Sequence, residues 1–524
     1  MKTLSFWRGL AWCVLLVAAG LSVYRAKTQT IAHDEALTYE WFLDQGIENV
    51  LRYNTTNHIL QTLLAKPTVK LLGVSEFTFR LPTLAGAGIY LVSVYLLCRR
   101  LFGNGLVLLL SLAMLAWNPL VRDFMVAARG FGLGLAFLML AMYFIAELTE
   151  SGEFRTGEKE WRRGCAMASV ALALSVAANL TNVFPAFCLT LVFGLVGLGF
   201  PAAMPRLGDH RVKDFAKYFI APGLAVGLFL LWPYLIQMRR GQFQIALTSA
   251  TAALRDIFMA SFLDKWTEDI YSPSLGAMAP LAGSWQARVL DLGVYVLMPL
   301  LFCFVALGVV LAWRTTESKA SRIRQTLVFG GTAIGCALLT IFLHALLNMN
   351  YPYSRYCLWV IPLFIVSGVL ATREISARIS SPIVKGLGIL VAGVIVVVNS
   401  QSLNAKTFRY NAYDLISLDL YRAIEKDAQA RRLAAVRVGG TWWYEPEINF
   451  YRLRYRATWM QEYEVKDKSY WWNTPSALTP ADYDYFVFVP ASDPGLSGPR
   501  VRTIYHDEKT KATIIAIARE GSSL

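Results

Sequence analysis

Residues 327–347 read LVFGGTAIGCALLTIFLHALL, twenty-one residues without one Asp, Glu, Lys or Arg. A helix needs about 20 such residues to cross the hydrocarbon core of a bilayer. Comparable runs recur, among them FWRGLAWCVLLVAAGLSVY at 6–24 and IVKGLGILVAGVIVVV at 383–398. The chain of 524 residues is 56% hydrophobic and only 16% charged, where soluble domains average about 25% charged. The sequence therefore reads as an all-α polytopic membrane protein with about 11 transmembrane helices. The spans fall near 6–24, 81–98, 104–120, 127–147, 165–178, 183–200, 216–236, 290–312, 327–347, 356–371 and 384–400. The first follows Lys2 and Arg8 as a signal peptide would, but no small-x-small cleavage site comes after it, so it reads as an uncleaved anchor.

Lys and Arg cluster in alternate short loops: Arg99 and Arg100; Arg155, Lys159, Arg162 and Arg163; Arg206, Arg211 and Lys213; Arg314, Lys319, Arg322 and Arg324; Arg373, Arg378 and Lys385. Cytoplasmic loops carry this excess. The opposite face then receives the first outer loop (25–80), the loop 237–289 and everything beyond residue 400. This divides the chain into a membrane domain over 1–400 and a C-terminal extracytoplasmic domain over 401–524. Of the net charge of +14, the tail contributes 17 Lys/Arg against 15 Asp/Glu, or +2, so +12 belongs to the membrane portion. The charge is a topology signal, and no basic stripe points to nucleic acid. The seven cysteines all lie in or beside spans, with no CxxC or Cys/His ligand spacing. A cysteine placed at Ser492 is expected to react with a membrane-impermeant reagent in intact cells, and one at Ser318 is not; the reverse pattern would overturn the orientation.

The outer segments are not plain loop. ALTYEWFLDQGIENVLRY (36–53) and HILQTLLAKPTVKLLGV (58–74) carry apolar residues at helical spacing, too short or too polar to span, and suit surface helices. In the tail, 414–431 reads as an amphipathic helix, and 483–490 and 511–519 as strands, which predicts a mixed α/β domain. Its tryptophans, Trp442, Trp443, Trp471 and Trp472, fit a packed aromatic core, membrane contact or stacking on sugar rings.

Between the first span and the first surface helix stands IAHDEALTYEWF (31–42). Asp34 and Glu35 fit an ordinary helix start, Asp34 as cap and Glu35 in the first turn, where the helix dipole favours negative charge. They equally fit a catalytic carboxylate at a membrane surface. At the outer ends of spans and surface helices lie Arg122, Arg129, Arg355 and His58, as phosphate-binding groups or as interfacial anchors that snorkel to the surface.

The ordered set HDEALTYEWF (33–42), TTNHILQTLLAKPTVKLLGVSEFTFRLPTLAGAGIYLVSVYLLCRRLFG (55–103), VAARGFGLGLAF (126–137) and YSRYCLWVIPLF (353–364) resembles the GT-C class of membrane glycosyltransferases. It is most similar to the bacterial branch related to protein O-mannosyltransferases and lipid A aminoarabinose transferases. Gly73, Glu76, Phe77, Arg80, Leu81 and Pro82 match that branch's G-x-x-E-F-x-x-R-L-P element. The resemblance implies a GT-C fold in a bacterial inner membrane. It implies an enzyme that moves a sugar, hexosyl or pentosyl, from a polyprenyl-phosphate carrier to a lipid, glycan or protein acceptor at the outer face. Two departures stand out. His58 occupies the place of the aminoarabinose transferases' lysine, and Gly130 replaces the proline of ARPY, with Arg129 kept.

Inverting transfer needs a carboxylate to take the acceptor proton and positive charge to receive the leaving phosphate. Asp34 is the candidate general base and Glu35 its partner or substitute. Arg129, Arg355, His58 and Arg122 are candidates for the donor phosphate, and Asp123 for a second acidic group or a helix cap. Asp34, Glu35, Asp123 and His58 could also hold a divalent metal, but no spacing demands one. The alternative is a transporter or flippase-like protein for lipid-linked sugars, or a non-catalytic scaffold. Transporters often show internal repeats, and none is visible here.

Overall fold

The structure is a computed structural model that describes residues 2–150, 159–197, 209–238, 247–262, 285–315, 320–379, 382–401, 403–405, 408, 416–463, 483–490, 494–508 and 510–518. Nine helices among these are long and apolar enough to cross a membrane, from Phe6–Thr28 to Pro382–Gln401. Two further predicted spans correspond to weaker elements. One is the short helix Leu106–Ala116; the other is Lys159–Ala178, whose first turns carry Lys159, Glu160, Arg162 and Arg163.

The burial pattern separates inner from outer helices. Glu76–Phe102 and Gly130–Glu150 are mostly enclosed, whereas Val212–Gln237, Arg288–Trp313 and Pro382–Gln401 present most of their apolar side chains outward. Phe229 and Ile383, 82% and 77% exposed, would be unstable against water and suit lipid. Helix Gly130–Glu150 packs closely because its entry is glycine-rich. A Cβ at Gly130 would collide with the Ala178 carbonyl, and one at Gly132 with the Phe124 carbonyl. This explains the glycine at 130: no side chain fits there.

The predicted surface helix over 36–53 is broken. His33–Thr38 continues into a π-helical turn, Tyr39–Leu43, and the chain restarts only at Ile47–Val50 after Gly46. The second surface helix is observed as Ile59–Leu72. It stops at Gly73, whose φ of 86° is readily reached only without a side chain. Ser75 then caps Glu76–Phe102: its Oγ accepts from Thr78 N at 3.1 Å while Thr78 Oγ1 accepts from Ser75 N at 3.1 Å.

The tail folds as a small α/β unit. Helices Ser417–Ala430 and Glu445–Arg454 pack on a sheet of β1 (Val438–Gly440), β2 (Tyr485–Phe488), β3 (Val501–His506) and β4 (Thr513–Ile517), in the order β1-β2-β4-β3. β1 runs parallel to β2, and the other pairs are antiparallel. The predicted helix and both predicted strands are present, while β1 and β3 were not read from the sequence. The tail shares one apolar core with the segment 25–80, in which Ile31, Ala36, Tyr39 and Phe79 join Tyr421, Ile448, Phe450 and Tyr451. Trp471 and Trp472 lie outside the described residues.

Candidate active site

The short helix His33–Thr38 organises the site. Its N-cap position is Ala32, in an extended conformation, so Asp34 does not cap it. Successive helical side chains diverge by about 100°, so His33, Asp34 and Glu35 face three different walls.

Glu35 faces inward and is fully buried. Its Oε1 accepts from Arg80 Nε at 2.9 Å and from Ala128 N at 2.5 Å. Its Oε2 accepts from Arg80 Nη2 at 2.5 Å and from Ala32 N at 3.0 Å. Both oxygens of Glu35 are thus taken up by Arg80, Ala128 and Ala32, which ties this carboxylate into the scaffold around Asp34. Arg80 completes this knot by donating to the Gln29 and Thr30 carbonyls at 2.8 and 2.7 Å. The Gly-Glu-Arg-Pro element thus has a physical content: Gly73 turns the chain, Glu76 binds the tail, and Arg80 holds Glu35.

Asp34 faces a cavity lined by Ala32, Asp34, Glu35, Asp123, Phe124, Ala127, Arg129, Arg355 and Phe408. Arg355 Nη1 donates to Asp34 Oδ2, and Arg129 Nη2 lies 3.7 Å from the same oxygen. Arg129 Nη1 also donates to the Asp34 carbonyl at 2.9 Å. Burial pushes the Asp34 carboxyl up, but the two guanidiniums outweigh it and hold the group well below the usual carboxylate range. Arg129 is itself buried, and its Nε has no hydrogen-bond partner among the described residues. Residues 34, 129 and 355 are therefore brought together from three distant parts of the chain.

The other candidates sit differently. Arg122 donates to the Asn404 carbonyl at 3.1 Å, on the segment after the last span, and does not line the cavity. His58 Nδ1 lies 3.1 Å from the Ala178 carbonyl, so that nitrogen carries the proton and Nε2 is left as an acceptor. Burial and Arg129 push His58 down to about 3, so its ring is neutral in this arrangement. Asp123 lines the cavity but pairs with Arg25 at 2.6 Å, both buried. The cap of its helix, Pro119–Phe124, is Asn118, not Asp123. Among the described residues no three His, Cys, Asp or Glu side chains group as a metal site: Glu35 turns to Arg80 and Asp123 to Arg25.

Several participants were not singled out in the sequence. Arg25 closes the first span and, with Arg80, stacks over the Phe408 ring, each 5.3 Å from its centroid. Asp256, on helix Ala250–Phe262, is buried behind Arg355 against Ser354, and burial pushes it up to about 7. His33 packs between Trp442 and Trp443, so the stacking of a sugar on the Trp443 face that meets His33 is ruled out by occupancy. A lone acid in an apolar amphipathic helix and a histidine beside an acidic pair were the available signals.

Neither a protein-family model nor a curated protein sequence matches this chain. Solved structures do. ArnT from Cupriavidus metallidurans in the apo state is similar over 97% of this chain and 98% of its own, with a TM-score of 0.51 at 14% identity. The same protein bound to undecaprenyl phosphate gives 0.44 at 13% identity, covering 98% of each chain. The oligosaccharyltransferase AglB from Archaeoglobus fulgidus, with an inhibitory peptide and a dolichol-phosphate, gives 0.49 at 11% identity over 91% of this chain and 69% of its own. The chain has the GT-C glycosyltransferase fold, as the resemblance implied.

Proposed function

We propose that the protein is a glycosyltransferase that moves a sugar from a polyprenyl-phosphate carrier to an acceptor at the outer face of the membrane. The observation that carries this reading is a carboxylate, Asp34, held between two arginines at the wall of a cavity. The GT-C fold supports the same reading.

In the reaction, the acceptor oxygen attacks the anomeric carbon as the bond from that carbon to the phosphate oxygen breaks. The acceptor proton passes to Asp34 and the bonding electrons leave with the polyprenyl phosphate. With both guanidiniums on it, Asp34 is too weak a base for this step. Donor binding offers the arginines a second anion, and bidentate Arg–phosphate contacts suit a planar guanidinium. As Arg355 and Arg129 turn to the phosphate, Asp34 regains ordinary carboxylate basicity beside the acceptor. The same guanidiniums then meet the charge that develops on the leaving group, in surroundings where it is poorly screened.

Arg129→Ala and Arg355→Ala are each expected to weaken binding of a polyprenyl-phosphate sugar. Loss of a charge-assisted contact costs about 1.5–3 kcal/mol, or roughly ten- to over a hundred-fold in Kd. Titration of purified folded variants reads this directly. Unchanged affinity in both would make these arginines interfacial anchors and remove the basis for the reading.

A further inference from the structure

We propose that Trp442 and Trp443 of the C-terminal domain are positioning residues for Asp34, so that this domain is a working part of the catalytic site. The inference rests on the transferase reading above and deepens it.

His33, directly before Asp34, is only 3% exposed. Its ring stacks on Trp443 with centroids 4.6 Å apart and planes 11° apart, and meets the Trp442 edge at 4.7 Å and 72°. Its Nδ1 lies 2.6 Å from the Trp443 carbonyl, so it donates there and the ring has one fixed tautomer. Two residues earlier, Ile31 N donates to the Tyr451 hydroxyl at 3.1 Å, which donates in turn to Glu76 Oε1 at 2.9 Å. Arg454 pairs with Glu76 beside it. The tail therefore grips residues 31 and 33, while Arg80 grips residue 35.

The helical stretch from His33 through the π-helical turn to Leu43 is still too short to fix its own orientation. Its rotation about its own axis decides where Asp34 points. The Trp443 grip on one side chain and the Arg80 grip on the next but one lock that rotation, and Asp34, between them, is left facing the arginines. Burial pushes His33 down to about 4 against the pull of Asp34, with Arg129 and Arg355 adding to the depression. The imidazole is thus a neutral packing element beside the base, and adds no competing charge.

The test uses the full-length protein in detergent or nanodiscs, with kcat and donor KM measured separately and polyprenyl phosphate as the binding probe. Trp443→Ala is expected to lower kcat by about ten- to a hundred-fold, since misplacing a reacting group by about 1 Å costs on that order. Donor KM and polyprenyl-phosphate binding should change less than about threefold, because the arginines stay in place. Trp443→Phe keeps an aromatic face and should recover most of the rate. In an Asp34→Asn background, Trp443→Ala should cost nothing further, since groups that act as a unit are not additive. Wild-type kcat in Trp443→Ala would overturn the proposal, as would the same loss persisting in the Asp34→Asn background. If Trp443→Ala melts early, His33→Ala removes the same stack from the other side; a wild-type kcat there also overturns it. A wild-type protein that binds no polyprenyl phosphate would instead overturn the transferase reading, and this inference with it.

Discussion

Asp34→Asn is expected to leave the protein folded and to cut sugar transfer by two to four orders of magnitude, the usual contribution of a positioned base. The substitution is nearly isosteric and keeps the helix start intact, because the N-cap position is Ala32 and the backbone carbonyl of Asp34, not its carboxylate, receives Arg129 Nη1 and Thr38 Oγ1. Folding loses a mostly buried ion pair, so the melting temperature should fall, but the Asn amide oxygen still accepts from the Arg355 guanidinium and keeps the fold in place. Binding has the opposite sign. With Asp34 neutral, Arg129 and Arg355 no longer spend their charge on it, and polyprenyl phosphate should bind as tightly as before or tighter. Tighter binding with transfer almost lost separates a base from a structural acid, whose loss would weaken both. An Asp34→Asn protein that transfers at the wild-type rate ends the assignment.

The membrane portion was legible because lipid imposes a simple rule: backbone groups must pair within the segment, so spans appear as long apolar helices. Asp34, Arg129 and Arg355 were legible for the complementary reason, as charges at the ends of such spans are costly unless used or snorkelled. Their partners were not legible. Asp34 and Arg355 are 321 residues apart, and no local pattern says that they meet. Glu35 reads like Asp34 in sequence and differs only in facing Arg80, a matter of 100° around a short helix. His58 looks like a cation until its burial and its contact with the Ala178 carbonyl are seen. β1 is only three residues, two of them glycine, and β3 is interrupted by a bulge between Thr503 and Tyr505; neither offers enough alternation to be read.

Arg80→Ala is expected to be as severe for folding as Asp34→Asn is for chemistry. Arg80 and Glu35 are both fully enclosed, and removal of one member of such a pair strands the other charge, at a cost of about 3–5 kcal/mol. The arginine also caps the first span: its Nη1 and Nη2 reach the Gln29 and Thr30 carbonyls just beyond helix Lys2–Thr28, where backbone acceptors lack helical partners. Lysine has the charge but not the fork, so Arg80→Lys should recover only part of the loss. The expected result is a lower melting temperature and a poor yield of folded protein for Arg80→Ala and Glu35→Gln, with Arg80→Lys between them and wild type. Activity per folded molecule of Glu35→Gln should stay within about tenfold of wild type, well short of the loss that removal of a positioned base produces. A Glu35→Gln protein that melts like wild type but transfers a hundredfold more slowly would reverse the roles and make Glu35 part of the chemistry, with Asp34 no longer acting alone.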